Sequence, residues 1–393
     1  MYWSLVALAT VTVAVVLLLR LGLSLGLSIA LAALGLGLYT RSLGVGTLGA
    51  LAGEGSLVLL SSTLAIAVLA ELYRLSGSVE DLGVGLSTAL RDPRLGVGLV
   101  PAVIGLMPVA GGALLSAPVV EALGSPAGLP GEVMAHINVW FRHLLIYSYP
   151  MSQVLLVLSQ LSGYPVATIA LNTLPISLLM VAVGLPTLAR VRGAGVDLGA
   201  DPREGLKLTT PIAVALATLV ALGPVVGNWA VPIGASLAVA VLVAIRRCAR
   251  DLPRALTSAR VLDIVLAVVA VIVLREVVAG SWVSEDLRQV VASLGGAGVA
   301  LAVLSALVSI ATGSIITGLF LTLPILSSLG AVSMGSVLLV YTYSFLGYVA
   351  SPTHLCLLYT VRYFNTELTR VYRYLIPSVA VVLAVATLYY SYL

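Results

Sequence analysis

Long apolar stretches recur along the whole chain of 393 residues, and no other feature restricts its fold as much. Runs of about 17–25 apolar residues suit helices that cross a lipid bilayer. Of all residues, 60% are hydrophobic and only 9% are charged. Soluble domains carry roughly a quarter of charged residues, so this balance excludes a soluble globular protein. We predict an all-α integral membrane protein.

About ten segments are predicted to cross the membrane. The first begins at Trp3 and ends at Leu19. It lacks a basic n-region and a small-residue cleavage site, so we interpret it as a span and not as a signal peptide. The predicted spans are 3–19, 22–39, 56–73, 132–163, 165–188, 208–223, 228–245, 261–280, 333–364 and 372–392.

Two further apolar segments, 95–124 and 297–330, do not fit simple crossings. Pro108 and the pair Gly111 and Gly112 divide the first segment into arms of 13 and 12 residues. Such arms are about 18–20 Å long at 1.5 Å per residue, whereas the hydrocarbon core is about 30 Å thick. We predict two re-entrant hairpins. The alternative for the first segment is one long helix kinked at Pro108.

The basic residues distribute unevenly if both hairpins return to the side from which they enter. Sixteen Lys and Arg then lie on one side and three on the other, and Arg142 inside completes the total of 20. Cytoplasmic loops are rich in Lys and Arg, so the first side is predicted to be cytoplasmic and both termini to lie outside the cell membrane. A net charge of +4 does not indicate a nucleic-acid partner. The partners expected are the lipid bilayer and a small-molecule solute.

The two halves of the chain repeat the same order of segments. An EDL triplet occurs in each half, and GALLSAPVVEALG at 112–124 matches GLFLTLPILSSLG at 318–330. The first unit starts outside and the second inside, so the repeats are predicted to be inverted. Each unit has a span, an amphipathic surface helix (79–91 or 282–294), a hairpin, a broken span and a final span.

Pro150 and Pro352 lie in the middle of the predicted spans 132–163 and 333–364. Proline has no amide hydrogen and its ring clashes with the carbonyl one turn earlier, so each helix is predicted to break there. Unwound backbone within a membrane is tolerated where it lines a polar cavity. Two broken helices at corresponding positions of inverted repeats are typical of a transporter binding site near mid-membrane.

Polar side chains concentrate in these two segments. All three histidines, His136, His143 and His354, lie there, and Arg142 is the one arginine predicted well inside a span. We expect Arg142 to bind an anionic group of the solute, such as a carboxylate. The alternatives are that it snorkels outward or pairs with Glu121. His354 would contact substrate or relay a proton, with a structural hydrogen bond as the alternative, and His136 is expected to be interfacial.

The predicted site comprises polar residues and glycines of the hairpins and of the interrupted helices. Those expected to bind the solute are Gly111, Gly112, Ser116, Asn138, Arg142, His143, Thr317, Gly318, Thr322, Thr353 and His354. Those expected to bind a coupling ion or to break a helix are Ser148, Pro150, Ser152, Thr312, Ser314, Ser351 and Pro352. The expected coupling ion is Na⁺ or H⁺. No cofactor or metal site is predicted, since Cys248 and Cys356 stand far apart in different contexts.

Three motifs, LMPVAGGALLSAPVVEA, INVWFRHLLIYSYP and SPTHLCLLYTVRYF, resemble those of an uncharacterised prokaryotic membrane-protein family. That family is grouped with the ion-transporter superfamily, which includes divalent-anion/sodium symporters and citrate, gluconate and arsenite carriers. The resemblance covers roughly residues 56–385 and implies an elevator-type transporter, usually a homodimer. The implied parts are a scaffold (1–78 and 205–281), interfacial arm helices (79–93 and 282–295) and a moving transport domain (94–190 and 296–393).

The sequence therefore predicts a secondary active transporter for a small, carboxylate-like solute and not an enzyme. An intramembrane aspartyl protease needs two membrane aspartates, and only Asp263 is available. The zinc motif H-E-x-x-H is absent, and Ser351 with His354 lacks a third orienting group. A channel, or a cation/proton antiporter on the same scaffold, is the alternative. The absence of an acidic residue plainly at mid-depth in the hairpins or joints weakens the antiporter.

Overall fold

The computed structural model describes residues 6–7, 10–11, 13–15, 17–18, 21–90, 92–106, 113–191, 201–282, 297–328 and 330–393. Within these ranges the chain is all-helical, without a strand, and twenty α-helices have described bounds. Those of the first half are α1 (Leu25–Thr40), α2 (Val45–Ala52), α3 (Glu54–Leu75), α4 (Ser78–Leu90), α5 (Pro93–Gly105), α6 (Ala113–Gly124), α7 (Gly131–Arg142), α8 (Leu144–Ser148), α9 (Gln153–Ser162) and α10 (Val166–Leu188).

The second half begins with a short helix that follows residues 192–200. Its helices are α11 (Pro202–Lys207), α12 (Thr210–Val226), α13 (Ala230–Arg246), α14 (Leu252–Leu256), α15 (Ala259–Ala279), α16 (Ala297–Thr312), α17 (Ile315–Ser328), α18 (Met334–Ala350), α19 (Leu355–Tyr363) and α20 (Leu368–Ser391). Pro211, at the start of α12, removes a backbone donor that has no partner inside a helix, which suits proline to this position.

Five helical segments of the described chain are long and apolar enough to cross a membrane, or six if the bent pair α7–α8 and α9 counts as one. They are Glu54–Leu75, Val166–Leu188, Pro202–Arg246, Met334–Tyr363 and Leu368–Ser391. Large apolar side chains such as Leu171, Val220 and Val225 are exposed on the outside of the molecule, where a soluble protein would carry polar ones. The chain is therefore a multi-pass helical membrane protein.

The difference from ten predicted crossings has four sources. Helix α1 has 16 residues where the sequence predicted a span at 22–39, and α15, although 21 residues long, carries Asp263, Arg275 and Glu276. The run Pro202–Arg246 is not straight, because α12 and α13 pack against each other across the turn at 227–229. The predicted first span, 3–19, lies partly outside the described residues. Ten crossings stay a prediction.

Two pairs of short, packed helices, which we name the first and the second hairpin, lie at the positions of the predicted re-entrant hairpins. Helices α5 and α6, of 13 and 12 residues, pack with Gly96 near the start of one arm against Leu123 near the end of the other. The predicted tip residues Gly111 and Gly112 lie outside the described residues. Helices α16 and α17 form the second hairpin, in which Gly318 lies against the side chain of Ser309. Both hairpins consist of arms shorter than a membrane span.

Contacts between the two halves are reciprocal. Helix α19, which follows the second break, packs on arm α6 of the first hairpin, and α9, which follows the first break, packs on arm α17 of the second hairpin. Likewise α1 of the first half packs on α15 of the second, and α13 of the second half packs on α3 of the first. Each half thus supplies part of the other half's core.

Helix α4 corresponds to the first predicted surface helix. Val79, Leu82 and Leu86 are buried on one face, whereas Asp81 is exposed on the other and forms an ion pair of 2.6 Å with Arg246 at the end of α13. This division of apolar and charged residues suits a helix that lies along an interface. Its predicted counterpart, 282–295, lies almost entirely outside the described residues.

Candidate functional site

The first interruption falls at the predicted proline. Helix α8 ends at Ser148, α9 begins at Gln153, and the two parts of this segment are bent by 41°. Pro150 lies in the intervening turn, and the hydroxyl of Ser152 caps α9 by accepting a hydrogen bond from the Val154 amide at 3.3 Å. Ser148 is 2.6 Å from the Ser177 hydroxyl. The two serines therefore have partners that shape and anchor the turn.

The second interruption falls at Pro352. Helix α18 ends at Ala350 and α19 begins at Leu355. Within the joint, the Ser351 hydroxyl donates to the Ile310 carbonyl at 2.6 Å and lies 2.8 Å from the hydroxyl of Thr353. The joint is thus tied to the end of α16, the first arm of the second hairpin.

The tip of the second hairpin touches this joint directly. Gly313 has a φ of 62°, a left-handed conformation that glycine adopts without strain. A side chain at this position would meet the Thr353 hydroxyl at 2.7 Å and the Thr353 carbonyl at 3.0 Å. Beside it, Thr312 donates to the Val308 carbonyl at 2.8 Å and the Ser314 hydroxyl accepts from the Thr317 amide at 3.3 Å. Four of the predicted residues therefore lie together at the tip and the joint: Thr312, Ser314, Thr317 and Thr353.

Stacked aromatic rings join the helices that lead into the two interruptions. Tyr147 of α8 and Tyr341 of α18 are parallel within 10°, with ring centroids 4.9 Å apart. The Tyr341 hydroxyl donates to the Tyr147 carbonyl at 2.8 Å, and the Tyr147 hydroxyl lies 2.5 Å from that of Thr342. The end of α8 and the middle of α18 are thereby held next to one another.

Two histidines from different halves meet in the interior. The rings of His143, directly after α7, and His354, directly before α19, have centroids 4.9 Å apart and cross at 76°. Tyr348 lies over His354 with ring centroids 4.0 Å apart. The charge of Arg142, the last residue of α7, acts on all three groups. We name this set, Arg142, His143, Tyr348 and His354, the Arg–His cluster.

The Arg–His cluster is buried but incompletely bonded. Arg142 is 4% exposed and His354 is 1% exposed. Within the described residues, Nη1 of Arg142 and Nε2 of His354 have no hydrogen-bond partner, and no carboxylate forms an ion pair with Arg142. Glu121, the carboxylate considered as its partner, instead accepts a hydrogen bond from the Tyr363 hydroxyl at 2.7 Å. The cluster thus has a buried cation and an orphaned donor and acceptor.

The first hairpin lies against this cluster. Gly105, the last residue of α5, touches the backbone of Arg142 so closely that a Cβ would collide with the Arg142 carbonyl oxygen. Gly105 and Tyr348 were both missed in the sequence. The chain has 38 glycines and 16 tyrosines, and nothing in the neighbouring sequence distinguishes these two residues from the others. Their importance arises only from packing.

Asn138 and Ser116, both predicted to bind the solute, are hydrogen-bonded to each other. The Ser116 hydroxyl donates to Oδ1 of Asn138 at 2.6 Å, and Nδ2 of Asn138 donates to the Ala113 carbonyl at 2.9 Å and to the Thr360 hydroxyl at 3.1 Å. All three residues with side-chain bonds are fully buried. This arrangement holds α6, α7 and α19 together, and solute binding by Ser116 and Asn138 stays a prediction.

Three predicted residues of α17 occupy the interior of the second hairpin. A Cβ on Gly318 would collide with the Ser309 hydroxyl, which is itself 2.7 Å from that of Ser344. Thr322 donates to the Gly318 carbonyl at 2.8 Å, so its hydroxyl has a helical partner. The buried Thr317 hydroxyl has no partner within the described residues. Of the three, Thr317 alone has a side-chain hydroxyl without a partner in the described chain.

His136 is fully buried and is not part of the Arg–His cluster; its interfacial depth stays a prediction. Its ring stacks on Trp140 with centroids 5.9 Å apart, and its Nε2 is 3.4 Å from the Ser378 hydroxyl of α20. These contacts suit a packing role between α7 and α20.

The remaining acidic residues near the spans have local partners. Glu71 is buried and binds Arg74 through two hydrogen bonds of 2.6 and 2.9 Å, and Asp263 accepts from the Gly26 amide at 3.0 Å. No group of three or more His, Cys, Asp or Glu side chains that could hold a metal ion occurs among the described residues.

Two interrupted helices, two short hairpins and a buried arginine between them characterise a multi-pass helical membrane protein with an internal polar site. Over residues 3–393 the chain matches the family described as "Protein of unknown function (DUF401)", and the protein belongs to that family. No curated protein matches the chain.

Proposed function

We propose that the protein is a secondary active transporter that binds a small anionic, carboxylate-like solute at the Arg–His cluster. The observation that carries this proposal is the buried Arg142 without a carboxylate partner in the described chain. A charged side chain at the centre of a bilayer costs at least about 2.5 kcal/mol and is retained mainly where it serves a function. A bound anion would supply the missing counter-charge, and the planar guanidinium suits a carboxylate.

The position of the cluster supports the same proposal. Arg142 lies eleven residues after Gly131, where α7 begins, which corresponds to about 17 Å along the helix axis. A depth of this order is near the middle of a hydrocarbon core about 30 Å thick. His354 belongs to the second interruption, where backbone groups leave the helical hydrogen-bond pattern. Such groups at mid-membrane are tolerated where they line a polar cavity.

The reciprocal packing of the two halves supports inverted repeats. Corresponding helices make corresponding contacts: α19 with α6 and α9 with α17, as well as α1 with α15 and α13 with α3. An approximate two-fold relation between the halves would produce this pattern. The short arms of both hairpins favour re-entrant hairpins, and ten crossings with both termini outside would then follow from the charge asymmetry.

We further propose an elevator mechanism, by analogy with the ion-transporter superfamily that the motifs resemble. In this scheme the hairpins and interrupted helices (94–190 and 296–393) move as a transport domain against a scaffold (1–78 and 205–281) in the plasma membrane. The interfacial arms connect them, the protein is a homodimer, and Na⁺ or H⁺ drives the movement. The buried face of α4, packed on α5 and α6, supports its role as an arm that moves with the first hairpin.

Measurements of ligand binding test the role of Arg142 directly. Purified protein in detergent is screened by thermal shift against small carboxylates, with and without Na⁺ and across pH. A ligand at one hundred times its Kd stabilises the folded state by about 2.7 kcal/mol. We expect Arg142→Gln to abolish the shift while the protein remains folded. The matched control is Arg190→Gln, which removes an arginine that lies over the Tyr374 ring, outside the cluster.

Transport tests the mechanism. A carrier in proteoliposomes shows uptake that saturates and that is stimulated by unlabelled solute on the opposite side, whereas a channel shows no such stimulation. The proposal is wrong if anion-induced stabilisation survives unchanged in Arg142→Gln, or if flux through the reconstituted protein is never trans-stimulated.

A further inference from the structure

The orphaned groups of the Arg–His cluster differ in kind. Nη1 of Arg142 is a hydrogen-bond donor, whereas the unpartnered atom of His354 is a ring nitrogen, Nε2. A buried polar atom without a partner is costly, so a ligand that enters the cluster has to satisfy both. The inference below rests on the proposed function, because it concerns the solute at the same site.

The backbone fixes which hydrogen-bonding role His354 can play. Its Nδ1 faces the Val349 carbonyl at 3.4 Å, and Nδ1 of His143 faces the Val139 carbonyl at 2.7 Å. A carbonyl only accepts, so Nδ1 of each ring carries the hydrogen, and Nε2 of the neutral ring offers a lone pair. Nε2 of His354 is therefore an acceptor that lacks a donor.

One singly charged anion would neutralise the positive charge of the cluster. Arg142 is a charged side chain that acts on His143, Tyr348 and His354, and it forms no ion pair with a carboxylate of the described chain. A second proton on His354 would place another positive charge beside Arg142 without a compensating group. A solute with one negative charge leaves no uncompensated charge, whereas a dianion leaves one.

We propose that the cluster selects a monoanion that also carries a hydrogen-bond donor, with hydroxy-monocarboxylates as the matching chemical class. The carboxylate pairs with the guanidinium of Arg142, and the hydroxyl donates to Nε2 of His354. A solute without the hydroxyl leaves Nε2 buried and unpaired. Sites built to hydrogen-bond a hydroxyl reject analogues that lack it far more strongly than apolar pockets reject a missing methylene.

Three pairs of monoanions that differ by one hydroxyl test this selection: lactate and propanoate, glycolate and acetate, and 2-hydroxybutanoate and butanoate. Kd is measured by calorimetry on the purified full chain at one fixed pH. We expect the hydroxylated member of a pair to bind roughly 5- to 150-fold more tightly, which is the range of one buried unsatisfied group. In His354→Leu the ratio falls to about one, because the acceptor is gone.

Two further variants make the result interpretable. His136→Leu removes another buried histidine outside the cluster and is expected to leave the ratio unchanged. His354→Gln keeps an acceptor oxygen and covers the case in which His354→Leu does not fold; its ratio should lie between those of the wild type and one.

The outcomes separate this inference from the proposed function. If both members of every pair bind with equal affinity and Arg142→Gln still abolishes binding, the hydroxyl selection is wrong but the proposed anion transporter stands. If succinate binds more tightly than any monoanion and its binding depends on Arg142, the argument for a single negative charge is wrong. If no member of the three pairs binds, hydroxy-monocarboxylates are not the substrate class. Binding that is indifferent to Arg142→Gln overturns both proposals.

Discussion

The contact between Gly105 and Arg142 makes a quantitative prediction. In Gly105→Ala the new methyl group collides with the carbonyl oxygen of Arg142 and lies 2.9 Å from its carbonyl carbon and 3.2 Å from its Cγ. The nearest atoms are backbone, which cannot rotate away, so α5 and the end of α7 have to separate by on the order of 1 Å, and such overpacking costs typically ~1–3 kcal/mol. The intrinsic helix preference of alanine returns only about 0.5–1 kcal/mol.

We therefore expect Gly105→Ala to lower the free energy of unfolding by about 1–2 kcal/mol. Thermal unfolding in detergent should report a decrease in Tm on the order of 2 °C per kcal/mol. Because the displaced backbone carries Arg142, anion affinity should fall as well. Loss of affinity together with stability would distinguish strain at the cluster from a general packing defect.

A second glycine provides the matched control. Gly35 lies within α1, and a Cβ there meets nothing within 4 Å. Gly35→Ala should therefore stabilise the protein by about 0.5–1 kcal/mol and leave anion binding unchanged. If Gly105→Ala proves as stabilising as Gly35→Ala and keeps full anion affinity, the close approach of the first hairpin to Arg142 does not exist in the folded protein.

Three further outcomes follow from the described contacts. Asn138→Ala should cost about 2 kcal/mol, since three buried hydrogen bonds of about 0.6 kcal/mol each are lost, whereas Asn172→Ala, which loses one bond within its own helix, should cost less than half of that in the same thermal assay. Gly318→Ala should lower Tm, because its methyl collides with the Ser309 hydroxyl inside the second hairpin; an unchanged Tm would contradict that packing. Burial raises the pKa of the Cys248 thiol. In a variant without the other cysteine, Cys248 should therefore react with a maleimide more slowly than free cysteine at pH 8, and its rate should continue to increase at higher pH. A rate equal to that of free cysteine would contradict the burial.

The interruptions of the two helices were predictable because their cause is local. Proline lacks the amide hydrogen and clashes with the carbonyl one turn earlier, and the helices are interrupted at Pro150 and Pro352, whereas Pro175 and Pro377 lie inside continuous helices. The hairpin arms were predictable for a similar reason, since their length follows from counting residues between prolines and glycines. Sequence patterns of this kind report what a segment is able to form.

The partners of each segment were not predictable, because they depend on packing between distant parts of the chain. Nothing near His143 indicates that its ring meets His354, and nothing near Ser116 indicates that its hydroxyl is used by Asn138. The prediction from sequence therefore lacked the bond between Ser116 and Asn138 and omitted Tyr348. Arg142 was recognisable because a buried charge is unusual by itself, whatever surrounds it.

The packing of helices of one half against the other half has a consequence for biosynthesis. Asn138 donates to a hydroxyl that lies 222 residues further along the chain, so this bond cannot form until nearly the whole protein has left the ribosome. Until then Nδ2 of Asn138 lacks this partner and has only the Ala113 carbonyl of the first hairpin as an acceptor. A gene cut between α10 and α11 should for the same reason yield two fragments that are each degraded when made alone and that recover together when coexpressed.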